Sequence, residues 1–161
     1  MSSPSPLDQF CVGTLVASKY VLTSAQCVHD KSHESLHFMI GENYLGDTGE
    51  SSTHEIVLHV KNITIHEFYH PGSNNHDMAM LELVENVNLG VYTPVCLASD
   101  TDSWMGSVTP ALLPSWNRTS LHLFEVETVP NIECSDASPE TTVTSAMICS
   151  EPVAQLCEVI N

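Results

Sequence analysis

Residues 11–27 read C-V-G-T-L-V-A-S-K-Y-V-L-T-S-A-Q-C, two short runs of β-favouring residues enclosed by two cysteines. Val, Leu, Thr and Tyr fit a pleated, half-buried surface, and each run therefore predicts a strand. Short strands separated by turn residues predict an all-β sandwich or barrel. Similar runs continue along the chain at 36–41, 55–60, 62–66, 78–83, 107–113, 121–129 and 147–149.

The segments between and before these runs predict irregular structure with one exception. Residues 1–9 are rich in Pro and Ser, and we expect an irregular lead there. Pro130 ends the run that closes with Val129, and the residues after it are expected to open a brief helix or turn, because Pro is tolerated at a first helical position.

The chain has 161 residues. A pair of β-barrels usually needs roughly 200–250, so a fold of that kind would be incomplete here.

The composition excludes several classes of partner. The formal net charge is −16, and nucleic acid and anionic membranes bind clustered Lys and Arg instead. No apolar run approaches the ~20 residues of a membrane span. The acidity fits a solvated surface, and it also fits a face that attracts a basic protein partner. The cations are Lys19, Lys31, Lys61 and Arg118.

Cysteines and glycosylation motifs together favour the secretory pathway. Six cysteines in a chain of this size indicate an oxidising compartment or metal binding, and none forms the C-x-x-C of a zinc ribbon or thioredoxin-like site. Two sequons, Asn62-Ile-Thr64 and Asn117-Arg-Thr119, are candidate N-glycosylation sites. The residues after Met1 have neither the basic nor the apolar region of a signal peptide, so we expect an export signal upstream of this fragment.

Four stretches, in order along the chain, resemble the trypsin/chymotrypsin-like serine peptidase family. Residues 11–27 are similar to the family's C-G-G-T-L-I…W-V-L-T-A-A-H-C, and residues 65–71, I-H-E-F-Y-H-P, are similar to its I-H-P-x-Y segment. Residues 75–83 and 93–97, N-H-D-M-A-M-L-E-L and T-P-V-C-L, resemble N-D-I-A-L-L-x-L and x-P-I-C-L. Residues 115–119, 124–129, Cys134 and 147–149 resemble G-W-G-x-T, a V-x-V strand and M-I-C.

This resemblance implies a chymotrypsin-like double β-barrel and a set of disulfides. After the lead at 1–9, the first barrel would be nearly complete over 10–100 and the second truncated over 101–161. Two local bridges are implied, Cys11–Cys27 and Cys134–Cys149. Each would close a loop of about 15 residues and stabilise the fold by on the order of 3 kcal/mol. Cys96 and Cys157 resemble cysteines whose partners lie outside this chain, and a direct Cys96–Cys157 bridge is the alternative.

The same resemblance identifies a degenerate catalytic site. Asp77 matches the family's Asp, which orients a His base that activates a Ser nucleophile. Gln26 stands where the family has that His, and a neutral amide does not accept a proton near neutral pH. His29, three residues later, fits a surface histidine better than a replacement base. The sequence ends at Asn161. In the family, the motif that contains the catalytic Ser follows the region that this sequence resembles.

One motif points to different chemistry. Residues 66–70, H-E-F-Y-H, match the zinc-protease pattern H-E-x-x-H, which requires both histidines on one face of a helix. Residues 61–65 alternate as a strand does, and Pro71 disfavours a helical conformation at His70. We therefore predict no metal site and no cofactor.

The prediction that follows is a non-catalytic serine-protease homologue. Similar domains act by protein binding in extracellular proteolytic or immune cascades, and the expected partner is an active protease domain or a cascade zymogen. The alternative is a fragment of a family member with serine-type endopeptidase activity. A metalloenzyme is the third hypothesis. In each case we expect a secreted protein.

Overall fold

The computed structural model describes residues 9–41, 55–99, 108–117, 120–137 and 143–153. The chain forms two compact units, Met1–Ala98 and Ser99–Asn161. The described residues of both units are mostly strand, and the predicted all-β class is confirmed. No helix among them is long and apolar enough to cross a membrane.

The first unit is built on a five-stranded antiparallel sheet in the order β1-β2-β5-β4-β3. A one-turn helix α1 (Ala25–Val28) follows β2, and a 3₁₀ turn (His33–Ser35) precedes β3. The strands are β1 (Gly13–Ala17), β2 (Tyr20–Thr23), β3 (His37–Ile40), β4 (Ile56–Ile65) and β5 (Ala79–Leu83).

Strand β5 carries the centre of the core. Its residues alternate between buried and half-buried, as expected for a strand with one face on a core. Leu81 lies opposite Val21 on one side and Ile63 on the other, so three apolar side chains form a row across the sheet. Val21 and Leu83 are fully enclosed, and burying such a side chain contributes about 1.5–3 kcal/mol.

Strand β4 differs from the sequence prediction because one bulge joins two predicted runs. The register with β5 shifts between Val60 and Asn62, which leaves Lys61 as an extra residue. Leu58 and Val60 are buried before the shift, whereas Ile63 and Ile65 face inward after it. Because of the inserted residue, even-numbered side chains face the core before Lys61 and odd-numbered side chains face it afterwards.

The β1–β2 hairpin packs tightly at Gly13. A Cβ atom at this position would lie 2.7 Å from Val21 Cγ1 and 3.3 Å from the Phe38 ring. Non-bonded carbon atoms prefer separations of about 3.5–4.0 Å. Gly13 is therefore required by a close approach to the core.

We expect Gly13→Ala to lower the free energy of unfolding by about 1–3 kcal/mol, because the added carbon overlaps an enclosed side chain. Val21→Ala removes the overlapping atom, so the double variant should lose less stability than the two single losses added together. Chemical denaturation followed by circular dichroism measures this. Gly90→Ala, where the new carbon meets only the exposed Asn88 carboxamide, serves as the control; strict additivity of Gly13→Ala and Val21→Ala would contradict the packing argument.

The second unit contains a three-stranded antiparallel sheet in the order β6-β7-β8. β6 contains Pro110 and Pro114, which an edge strand tolerates because its outer N–H groups need no ladder partner. The helix expected after Pro130 is present. The elements are β6 (Thr109–Asn117), β7 (Ser120–Val129), α2 (Asn131–Ala137) and β8 (Cys149–Pro152).

A polar contact and a disulfide hold α2 to the segment that leads into β8. The Asn131 side chain donates hydrogen bonds to the carbonyl oxygens of Thr144 and Met147, both at 2.9 Å. Cys134 is bonded to Cys149, with Cα atoms 6.4 Å apart. Among the residues described in this unit, the buried apolar side chains are Val126 and Cys149.

Candidate functional site

The site is built on α1, the single helical turn that follows β2. Ala25 and Val28 of this turn are buried in the core, which forces Gln26 outward into solvent. The turn is also fixed covalently, because Cys27 is bonded to Cys11 with Cα atoms 6.2 Å apart. The Gln26 backbone is thus held rigidly while its side chain remains exposed.

Asp77 reaches the site from the loop between β4 and β5. His76, just before it, has a φ of 53°, in the left-handed region that non-glycine residues seldom adopt. The Met78 N–H donates back to the His76 carbonyl at 2.7 Å, so the backbone turns sharply around Asp77. The His66 N–H closes the base of the loop by donating to the Met78 carbonyl at 3.0 Å.

The Asp77 carboxylate binds α1 through two hydrogen bonds. Oδ1 accepts from the Gln26 backbone N–H at 2.7 Å, and Oδ2 accepts from the Ser24 hydroxyl at 2.8 Å. Hydrogen bonds to a charged acceptor are shorter and stronger than neutral ones. The contact to Gln26 uses the backbone, and within the described residues no hydrogen bond joins the Gln26 carboxamide to Asp77.

Tyr69 completes the surroundings of the carboxylate, and the sequence analysis did not single it out. Its ring is half-buried, and its hydroxyl oxygen is enclosed with no hydrogen-bond partner in the described part of the chain. Burial raises the pKa of Tyr69, and the charges of Asp77 and Asp30 raise it further. The phenol is therefore held in its neutral form.

His29 borders the same region from the exposed end of α1. Its ring lies 5.6 Å from the Tyr69 ring, and its Nδ1 lies 3.2 Å from the Gln26 carbonyl oxygen. No hydrogen bond between His29 and Asp77 is present among the described residues. The structure thus places His29 against Tyr69 and the helix backbone.

This geometry coincides with a family match over nearly the whole sequence. A family model described as Trypsin matches residues 1–158. The chain belongs to the trypsin family. Its all-β fold and its disulfides are consistent with a trypsin-like peptidase domain.

Similar proteins include proteases and a protein named as inactive. The chain is 29% identical to mannan-binding lectin serine protease 1 of Mus musculus over 88% of this chain and 23% of that protein. It is 23% identical to inactive serine protease scarface of Drosophila melanogaster, over 92% of this chain and 22% of the relative. Chymotrypsin-like elastase family member 1 of Bos taurus is 26% identical over 87% of this chain and 55% of its own length. The chain therefore spans between about a quarter and about half of these relatives.

In active trypsin-like peptidases, a His side chain accepts the proton of the Ser nucleophile during peptide hydrolysis. The reaction requires an imidazole between the carboxylate and the nucleophile. The groups that hydrogen-bond to the Asp77 carboxylate in the described residues are a hydroxyl and a backbone N–H, both of them donors. Neither group removes a proton from a nucleophile at neutral pH. The arrangement anchors α1 to the β4–β5 loop.

The H-E-x-x-H residues of this domain do not form a helix. His66 follows β4 directly, Tyr69 N–H donates to the His66 carbonyl at 3.0 Å in a turn, and His70 forms an isolated bridge with Asn75. The His66 ring stacks on the His76 ring with centroids 4.8 Å apart. No group of three or more His, Cys, Asp or Glu side chains in the described ranges is arranged to hold a metal ion.

The remaining predicted residues have the following positions. Cys96 is exposed and forms no disulfide with a described residue, whereas Cys157 lies outside the described residues. Asn62 is exposed on β4. Asn117 ends β6, and its side chain lies outside the described part of the chain.

We expect Asp77→Asn to lower the free energy of unfolding by about 1–3 kcal/mol, because the acceptor loses its charge and one carboxylate oxygen becomes an NH₂ group that cannot accept a hydrogen bond. Urea denaturation measures the change. Asp30→Asn is the matched control, because Asp30 is 60% exposed and its ion pair among the described residues is with its neighbour Lys31, at 3.5 Å. Equal stability of the two variants would show that the Asp77 carboxylate does not hold the loop.

We expect Tyr69→Phe to raise stability at neutral pH, because it removes an enclosed hydroxyl that has no partner. A pH profile adds a second readout. The raised pKa of Tyr69 means that its neutral form is favoured in the folded state; the unfolded chain ionises first near 10.0, and stability is lost as the pH rises through that region. The Phe variant should lose less stability there, and an unchanged alkaline profile would contradict this assignment.

Proposed function

We propose that this chain is a non-catalytic trypsin-like domain that acts by binding protein in an extracellular proteolytic or immune cascade. The observation that carries the proposal is that the Asp77 carboxylate accepts from the Ser24 hydroxyl and the Gln26 backbone N–H, with no imidazole among its described partners and an amide side chain at the position of the general base. General-base catalysis contributes typically 10²–10⁴-fold, and in this family the base also activates the nucleophile. A domain without it keeps a scaffold for binding.

The surface around Gln26 offers groups suited to a protein partner. Phe10 is 59% exposed, and Lys31 lies over its ring at 5.9 Å. Phe68 and Met78 flank the Asp77 loop and are also exposed. Aromatic and Met side chains are enriched at interface cores, so this surface fits protein contact. The net charge of −16 favours association with a basic partner.

An active protease domain or a cascade zymogen is the partner we propose. Mannan-binding lectin serine protease 1 and inactive serine protease scarface are much longer than this chain, and each carries a region similar to it. The name of the second relative supports a trypsin-like domain that persists without activity.

Secretion and N-linked glycosylation belong to the same proposal. Disulfides persist in oxidising compartments, and Cys11–Cys27 and Cys134–Cys149 are both present. The sequons at Asn62 and Asn117 match the acceptor motif used there.

Serine-type endopeptidase activity is the second candidate, favoured by relatives that are named as proteases. It requires a proton acceptor other than residue 26. His29 directly follows α1, and its described contacts are with the Tyr69 ring and the Gln26 carbonyl oxygen.

We expect the natural protein, with whatever precedes and follows this chain, to hydrolyse no peptide or ester substrate above the rate in buffer. It should also change the rate at which a cascade zymogen is activated, and treatment with a fluorophosphonate, which labels activated serines, should leave that effect intact. Gln26→Ala is the control and should behave as the natural protein does. Peptide cleavage that the fluorophosphonate abolishes and that survives in Gln26→Ala would overturn the proposal, because another base would then be acting.

A further inference from the structure

The bulge at Lys61 turns the Asn62 sequon towards solvent. Before the bulge, even-numbered residues of β4 face the core; after it, odd-numbered residues do. Without the extra residue, Asn62 and Thr64 would continue the inward row of Leu58 and Val60. With it, both side chains are exposed on the same face of the strand.

We propose that Asn62 carries an N-linked glycan and that this glycan covers the outer face of the first sheet beside Tyr20. The proposal deepens the proposed function, on which it rests only for passage through the secretory pathway. Its acceptor motif, Asn62-Ile-Thr64, lies wholly within the described part of β4.

The acceptor groups are free to react. Within the described residues, the Asn62 carboxamide and the Thr64 hydroxyl make no hydrogen bond. The neighbouring charges are already paired, because Lys61 Nζ lies 2.6 Å from Glu82 Oε1. Asn62 is therefore not held by the ion pair beside it.

The transfer uses a lipid diphosphate-linked oligosaccharide as donor. Asn62 Nδ2 attacks the anomeric carbon of the first sugar, a carbon–nitrogen bond forms, and the bond from that carbon to the phosphate oxygen breaks. The lipid diphosphate leaves with the bonding electrons, and the amide proton passes to the transferase. The product is a neutral, bulky and solvated group on the strand.

The glycan would stand in the same cross-strand row as an exposed aromatic side chain. Asn62 lies opposite Glu82 on β5, and Glu82 lies opposite Tyr20 on β2. Two strand spacings separate Asn62 from Tyr20, about 10 Å. Tyr20 is 45% exposed, and a branched oligosaccharide on Asn62 reaches across this distance.

The second sequon does not carry the same argument. Asn117 pairs with Ser120 at the end of the β6–β7 hairpin, and Thr119 of its motif lies outside the described residues. The inference is therefore made for Asn62 alone.

Occupancy is tested on the natural protein recovered from the culture medium of its own cell type. We expect the peptide that contains Asn62 to carry a glycan removable by an amidase specific for N-glycans. Asn62→Gln and Thr64→Ala should each lose the same mass, whereas Thr64→Ser, which retains the motif, should keep it. An unmodified Asn62 in secreted protein would overturn the proposal and leave the binding function untouched.

Retention of the natural protein inside the cell would count against secretion, and the site is then tested separately. The chain is expressed behind the export signal of another secreted protein, and the Asn62 peptide is mapped again. A glycan on Asn62 in that experiment would support the proposal that this sequon is accessible. An unmodified Asn62 would overturn it.

Shielding is tested with a tyrosine-nitrating reagent and peptide mapping. We expect nitration of Tyr20 to rise several-fold when the glycan is removed by enzyme, and to be equally high in Thr64→Ala. Tyr69 is the internal reference, because its enclosed hydroxyl should react slowly in every sample. Equal nitration of Tyr20 with and without the glycan would show that the sugar does not cover this face.

Discussion

The hydrogen bonds of the Asp77 carboxylate to α1 are the constraint on which this site depends. They join residues 51 and 53 positions apart in sequence and fix the β4–β5 loop against the turn that carries Gln26. The backbone at His76, next to this contact, has a φ of 53°, and such conformations persist where the surrounding structure holds them. In the trypsin family an Asp orients the catalytic base; here the described contacts of Asp77 are with the Ser24 hydroxyl and the Gln26 backbone N–H.

The two faces of the first unit's sheet carry different kinds of side chain. Its inner face is a continuous apolar layer around Leu81, and its outer face carries the Lys61–Glu82 ion pair and the Asn62 motif. The extra residue in β4 shifts the alternation of inward and outward side chains by one position. The strand stays paired with β5 on both sides of the shift. Asn62 and Thr64 therefore lie on the exposed face, outside the apolar core.

The sequence predicted the elements better than it predicted their contacts. Short β-favouring runs identified the strands, and a resemblance in four stretches implied both disulfides that the structure contains. The bulge at Lys61 was missed because alternation restarts cleanly on either side of it and looks like two strands. The enclosed Tyr69 hydroxyl was missed because burial of one atom depends on packing between distant segments; the Tyr in the I-H-E-F-Y segment was the available signal. A carboxylate at residue 77 must find donors, so hydrogen bonds to backbone amides or to the Gln26 amide were expected, and the Gln26 backbone N–H is one of them. Which main-chain group donates could not be predicted, because a backbone N–H does not depend on residue identity.

The main-chain donor at residue 26 has a consequence for how such domains diverge. Every amino acid except proline supplies the N–H that Asp77 accepts, so the architecture imposes a single prohibition at this position. Replacing a histidine at this position would remove the base and leave the hydrogen bond to Asp77 in place. A member of the family could therefore change the side chain at this position while the β4–β5 loop stays anchored.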